Sequence, residues 1–115
     1  MESWGFDTQA IHASQPLPSG GRPTAPPLYD SAAFAYDSAE ELEQVFAGRR
    51  PGYVYSRISN PTVAEFEARL AALEDGRGAV AVASGMAAVT AALTALAKSG
   101  DSVIISKSLF GGTLL

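Results

Sequence analysis

Residues 78–106, GAVAVASGMAAVTAALTALAKSGDSVIIS, decide the fold. Val80 and Val82 alternate with alanine over residues 79–83, between Gly78 and the corner Ser84-Gly85, and this pattern predicts a buried strand. The Ala/Leu sequence of residues 86–98 predicts a nearly all-apolar helix, which Lys98-Ser99-Gly100-Asp101 ends in a turn. Residues 102–106, SVIIS, predict a second buried strand. A strand, a helix long enough for a crossover and a second strand make a βαβ unit, which implies a parallel sheet with a right-handed connection. The class expected is α/β. The absence of charge from residue 78 to 97 would also fit a membrane span by length. The run is built mainly from Ala with Ser84, Gly85, Thr90 and Thr94, however, and so composed it inserts poorly. A strand, a turn and a helix is the better reading.

Upstream of this stretch, Asn60-Pro61-Thr62 opens a helix, with Pro suited to the first turn and Thr62-Val63-Ala64-Glu65 at capping-box spacing. Val63, Phe66, Leu70 and Leu73 give it an apolar stripe, and Asp75-Gly76 ends it. Ser38-Ala39-Glu40-Glu41 has the same capping form and starts a shorter helix through Leu42, Val45 and Phe46 to Gly48. Residues 48–60, GRRPGYVYSRISN, form a loop exposing Tyr53, Tyr55 and Arg57. Residues 1 to about 36 hold Pro16, Pro18, Pro23, Pro26, Pro27, Gly20 and Gly21, a density that denies helix and central strand. This is an arm, and Trp4, Phe6, Ile11, Leu28, Tyr29, Phe34 and Tyr36 predict that it lies ordered against another surface.

Composition narrows the chemistry. The 115 residues carry a net charge of −4 with no basic cluster beyond Arg49-Arg50, so the footprint that neutralises a phosphate backbone is missing and nucleic acid is not an expected partner. There is no cysteine, which excludes disulfides, thiolate metal sites and thiol nucleophiles. The single histidine, His12, rules out a His-rich metal centre, and no metal is expected. The start has neither a basic region nor an apolar core of signal-peptide type, so the cytoplasm is the expected location. Hydrophobic residues reach 47% against 17% charged, more apolar surface than so short a chain covers by itself.

Three places can bind a ligand. At the first strand-to-helix corner, Ser84-Gly85-Met86, free backbone N–H groups and the positive helix end favour phosphate, and Gly85 either lets a ligand approach or is only the structural glycine of such a corner, the commoner case for a single Gly. The dinucleotide and P-loop fingerprints are both absent. A second Gly-rich corner, Lys107-Ser108-Leu109-Phe110-Gly111-Gly112-Thr113, follows the second strand, where Phe110 serves either as floor for a planar ring or as packing. Tyr53, Tyr55 and Arg57 either offer hydroxyls and a guanidinium fork to phosphate or carboxylate or belong to an ordinary surface loop.

Taken in order, YVYSRISNPT, LAALEDG, VASGMAAV, GDSVIIS and SLFGGT resemble the N-terminal part of the pyridoxal-phosphate (PLP) enzymes of Cys and Met metabolism, nearest to the O-acetylhomoserine and O-succinylhomoserine sulfhydrylases. The resemblance runs from FDTQAIHASQ to Leu115. It implies an aspartate-aminotransferase-like, fold type I architecture, with residues 1–50 an intersubunit arm and short helix and 51–115 the first part of the PLP-binding large domain. It implies that the Gly85 and Met86 amides hold the cofactor phosphate of their own subunit and that Phe110 stacks on the pyridine ring. Tyr55 and Arg57 would reach the phosphate of a neighbouring subunit, within a dimer and usually a tetramer, and the arm would clasp that partner. The implied reaction is γ-replacement, in which O-acetylhomoserine and sulfide give homocysteine and acetate on the trans-sulfuration and methionine route. O-succinylhomoserine sulfhydrylase and cystathionine γ-synthase or γ-lyase are alternatives within the family. A non-catalytic module for oligomerisation or phosphate binding is the alternative outside it. Phe110 stands where the family more often has Tyr, which removes a hydroxyl from acid/base work. The family's Schiff-base lysine is expected downstream, since Lys98 and Lys107 match no such motif.

Overall fold

The computed structural model describes residues 4–13, 23 and 25–114. Five helices run in the order α1 (Phe6–His12), α2 (Ala39–Phe46), α3 (Pro61–Leu73), α4 (Gly85–Leu96) and α5 (Gly111–Leu114). The chain divides by compactness into residues 1–80 and 81–115. This division differs from the expected one by role, which placed a boundary at residue 50.

In the first unit the arm departs from expectation at its start. Its start is helical, because every proline lies beyond residue 15 and FDTQAIH has none to break a helix. It also rests on its own chain. Helix α1 lies against α3, where the Arg69 guanidinium donates to the Ala10 carbonyl at 3.0 Å and to Glu65 at 2.9 Å. The Trp4 and His12 rings meet edge to face, with centroids 6.2 Å apart. Residues 29–36 then run antiparallel to 53–56, with Phe34 N–H donating to Val54, Ser56 N–H to Ala32, and a bridge at Ala33 and Tyr55. The Tyr36 hydroxyl donates to the Tyr53 carbonyl, and the Phe34 ring packs 5.9 Å from that of Tyr53. Phe34 is therefore used within the chain. Pro16, Pro18, Gly20 and Gly21 lie outside the described residues.

The helix ends follow local chemistry. Ser38 caps α2 by accepting from Glu41 N–H, as its motif predicts. A Cβ on Gly52 would strike the Tyr36 hydroxyl and crowd both Val45 methyls at 3.0 Å, so this glycine lets the loop close over α2. The cap of α3 is Asn60, whose Oδ1 accepts from Thr62 N–H at 2.8 Å. The box expected at Thr62 is not made, because with Asn60 as N-cap Thr62 lies inside the first turn, where its hydroxyl accepts from Tyr29 N–H. At the other end of α3, Gly76 N–H bonds the Ala71 carbonyl and Asp75 N–H that of Ala72, a Schellman closure. The left-handed position falls on Asp75, at φ 49°, one residue before the glycine.

In the second unit α4 begins at Gly85 and ends at Leu96, two residues short of expectation, because Ala97 turns to extended dihedrals. Lys98 to Asp101 forms the predicted turn, with Gly100 at φ 96° and the Asp101 carboxylate accepting from Lys98 N–H. The two expected strands are not formed as a sheet: among the described residues, 79–83 and 102–106 carry no ladder. A strand exists only through its neighbour's hydrogen bonds, and no pairing partner is present among these residues. Burial follows the same logic. Among the described residues Val45 is the buried hydrophobic and Asn60 the buried polar one, whereas Leu96 is 88% and Ile104 99% exposed. The apolar stripes of α3 and α4 are correctly placed in sequence, but Val63, Phe66, Leu70, Val89 and Leu93 remain open to solvent.

Candidate functional site

The corner before α4 leaves two backbone donors free by construction. Ser84 adopts φ −155°, ψ 157°, and its hydroxyl accepts from Ala87 N–H at 3.1 Å. Its carbonyl takes Ala88 N–H, also at 3.1 Å. The N–H groups of Gly85 and Met86, the first two residues of α4, belong to the set a helix start leaves without intrahelical carbonyls and take no acceptor among the described residues. No acidic residue occupies the first turn of α4, so nothing local opposes an anion there. Around Gly85 no heavy atom lies within 4 Å of where a Cβ would sit, so its backbone is open to close approach. Two adjacent donors, an open backbone and a helix of 12 residues fit a phosphate.

The second corner lies in the same unit and is tied to the first. Thr113 N–H donates to the Phe110 carbonyl at 2.8 Å, and the Thr113 hydroxyl reaches the Met86 sulfur at 3.6 Å. Phe110 itself is 86% exposed, an aromatic face on which no ring stacks among the described residues. The edge of its ring borders Gly112. A planar ring would find that face free, and the chemistry of the corner fits a phosphorylated aromatic cofactor.

Tyr55 and Arg57 come together in the first unit. The Arg57 guanidinium carbon sits 5.5 Å from the Tyr55 ring centroid, a cation–π pair. The Tyr55 backbone is held by the bridge to Ala33 and by its carbonyl, which accepts from Ile58 and Ser59 N–H. Three other arginines of this unit are occupied: Arg49 pairs with Glu43 at 2.7 Å, Arg50 with Glu41 at 2.6 Å and Arg69 with Glu65 at 2.9 Å, whereas Arg77, like Arg57, makes no ion pair among the described residues. The hydrogen bond and charge of Glu41 raise the Arg50 pKa further above its ordinary value. Arg57 has no carboxylate partner among the described residues, which leaves its fork available to an anion.

Motif reading alone did not find the buried amide beside this loop. Asn60, the buried polar residue, donates through Nδ2 to the Tyr29 carbonyl and to the Ser56 hydroxyl. The signal was an Asn before Pro with a Ser four residues earlier, which is indistinguishable from an ordinary helix start.

The profile of the Cys/Met metabolism PLP-dependent enzymes matches residues 7–115. The chain is 47% identical to O-acetyl-L-homoserine sulfhydrylase of Corynebacterium glutamicum over 97% of its own length and 26% of that protein's. It is 44% identical to O-succinylhomoserine sulfhydrylase of Pseudomonas aeruginosa, over 99% of its own length and 28% of the relative's. Among solved structures, a Campylobacter jejuni protein designated an O-acetylhomoserine (thiol)-lyase, holding N'-pyridoxyl-lysine-5'-monophosphate, superposes with a TM-score of 0.81 at 36% identity, over 97% of this chain and 27% of that one. The chain thus spans about a quarter of the length of the proteins it matches. The likeness gives it the α/β, fold type I architecture, whose sheet the unpaired segments 79–83 and 102–106 do not complete by themselves. By the profile match and by this likeness, the chain belongs to the Cys/Met metabolism family of PLP-dependent enzymes, of which it is the N-terminal part.

Proposed function

We propose that the protein carrying this chain is a PLP-dependent O-acetylhomoserine sulfhydrylase, converting O-acetylhomoserine and sulfide into homocysteine and acetate. One observation supports the cofactor role: the unpaired Gly85 and Met86 amides, beside an open backbone, share a unit with the exposed Phe110 face. In this reading those amides bind the phosphate and Phe110 lies under the pyridine ring. Tyr55 and Arg57 supply the phosphate contacts of a neighbouring subunit, so the working protein is a cytoplasmic homo-oligomer, dimeric at least and tetrameric by preference. PLP, when bound, supplies an electron sink for negative charge developing next to the substrate amino group. Phe110 excludes water from one face of the ring and, lacking a hydroxyl, moves no proton.

The acetyl donor is favoured by the 47% identity to the Corynebacterium sulfhydrylase, and the 44% identity to an O-succinylhomoserine sulfhydrylase keeps the succinyl donor as a second reading. The full-length protein should take up PLP with a visible absorption band and release homocysteine from O-acetylhomoserine and sulfide faster than from the succinyl ester. Failure to bind PLP refutes the proposal and leaves a non-catalytic module. A faster succinyl reaction, or elimination without sulfide, moves the protein to another activity of the family.

A further inference from the structure

We infer that Asn60 is the positioning residue of the Tyr55 and Arg57 pair, acting from inside the fold on groups it does not touch. The inference rests on the reading that this pair binds cofactor phosphate. Asn60 is 7% exposed, and its amide is satisfied on both sides. Oδ1 accepts from Thr62 N–H at 2.8 Å, and Nδ2 donates to the Tyr29 carbonyl at 3.0 Å and the Ser56 hydroxyl at 2.9 Å. A backbone N–H can only donate and a carbonyl can only accept, so the partners admit one orientation of the amide. Each contact ties a different part of the structure. Thr62 belongs to α3, Tyr29 to the strap running beside residues 53–56, and Ser56 to the loop itself, between Tyr55 and Arg57. The Ser56 hydroxyl in turn donates to the Ser31 carbonyl, and the Thr62 hydroxyl accepts from Tyr29 N–H at 2.8 Å. The four-residue step from Ser56 to Asn60 is thereby closed at both ends. The backbone that presents Tyr55 and Arg57 has lost its freedom before any ligand arrives, which reduces the ordering cost of binding.

Asn60→Asp separates positioning from capping. Aspartate keeps the acceptor for Thr62 N–H and remains a good helix cap, but turns an oxygen toward the Tyr29 carbonyl and loses both donors. The test is PLP affinity of the full-length protein, by cofactor titration of the apo form, for wild type, Asn60→Asp, Arg57→Ala and the double variant, with apo thermal unfolding alongside. Expected are a rise in Kd of about tenfold for Asn60→Asp, a rise for Arg57→Ala, and a double variant whose loss is smaller than the sum of the two single losses, since part of what Asn60 positions is already gone with Arg57. Ser56→Ala, which removes one contact and leaves the cap, should show the same dependence on Arg57 and carries the test if Asn60→Asp does not fold. Wild-type affinity in Asn60→Asp beside a weakened Arg57→Ala overturns the inference and leaves the phosphate reading standing. So does a double variant whose losses add. Wild-type affinity in Arg57→Ala refutes the phosphate reading, and the inference falls with it.

Discussion

Substituting Gly85 by alanine should move stability and cofactor affinity in opposite directions. With no heavy atom within 4 Å of the new methyl, the fold has nothing to clash with, and the residue lies in the first turn of α4. Alanine in a helix interior is favoured over glycine by about 0.8–1 kcal/mol, a ceiling for this terminal position. The apo protein should therefore be as stable as wild type or slightly more so. The same methyl occupies the space through which a phosphate would reach the Gly85 and Met86 amides. Losing one hydrogen bond to a charged group costs about 1.5–3 kcal/mol, or roughly 10- to 150-fold in Kd. Urea unfolding of the apo form and PLP titration of the full-length protein read the two quantities separately. An apo form destabilised by more than about 1 kcal/mol, with affinity unchanged, would show that Gly85 serves packing and would refute the phosphate assignment.

Two further outcomes follow from contacts within the first unit. Arg69→Ala removes the guanidinium that joins α3 to the last turn of α1 through the Ala10 carbonyl. Hydrogen exchange at the Gln9 and Ala13 amides, which close α1, should speed by tenfold or more while α3 keeps its protection, given about 1.5–3 kcal/mol for a charge-assisted bond. Unchanged protection there would mean that apolar contact alone docks α1. Asp75→Gly should raise the urea midpoint by an amount equivalent to about 0.5–1 kcal/mol, because φ 49° costs an L residue more than the extra freedom glycine brings to the unfolded chain. A lower midpoint would show that the Asp75 side chain contributes more than its backbone costs.

The features legible in the sequence are those that one or two turns of chain determine. Ser38 with Glu41, Asn60 with Pro61, and the Ser84-Gly85 corner each announce a helix start, and each starts one in the structure. Helix α1 was missed because the proline density of residues 16–27 was extended to a segment that contains none of those prolines. Capping-box spacing at Thr62 misleads because Asn60, two residues earlier, already caps the helix, and spacing cannot show that the Thr62 hydroxyl serves a distant backbone N–H, that of Tyr29. The strands at 79–83 and 102–106 have the right composition, but pairing depends on residues elsewhere, so apolar alternation announces an intention that the described residues do not fulfil.

The same distinction between local and distant causes divides the candidate site. The Gly85 and Met86 donors exist because Ser84, one residue away, uses its hydroxyl and carbonyl on Ala87 and Ala88; everything needed lies within five consecutive residues. The placement of Tyr55 and Arg57 depends instead on Asn60 reaching 31 residues back to Tyr29, and on Ser56 reaching 25 back to Ser31. Closing a loop of that length costs chain entropy that the first arrangement never incurs. Conditions that loosen the strap at residues 29–36 should therefore release Tyr55 and Arg57 first and leave the helix-end donors of α4 intact. Mild urea should accordingly lower PLP affinity in the wild type more than in Arg57→Ala, which has already lost one of the two contacts that depend on the strap.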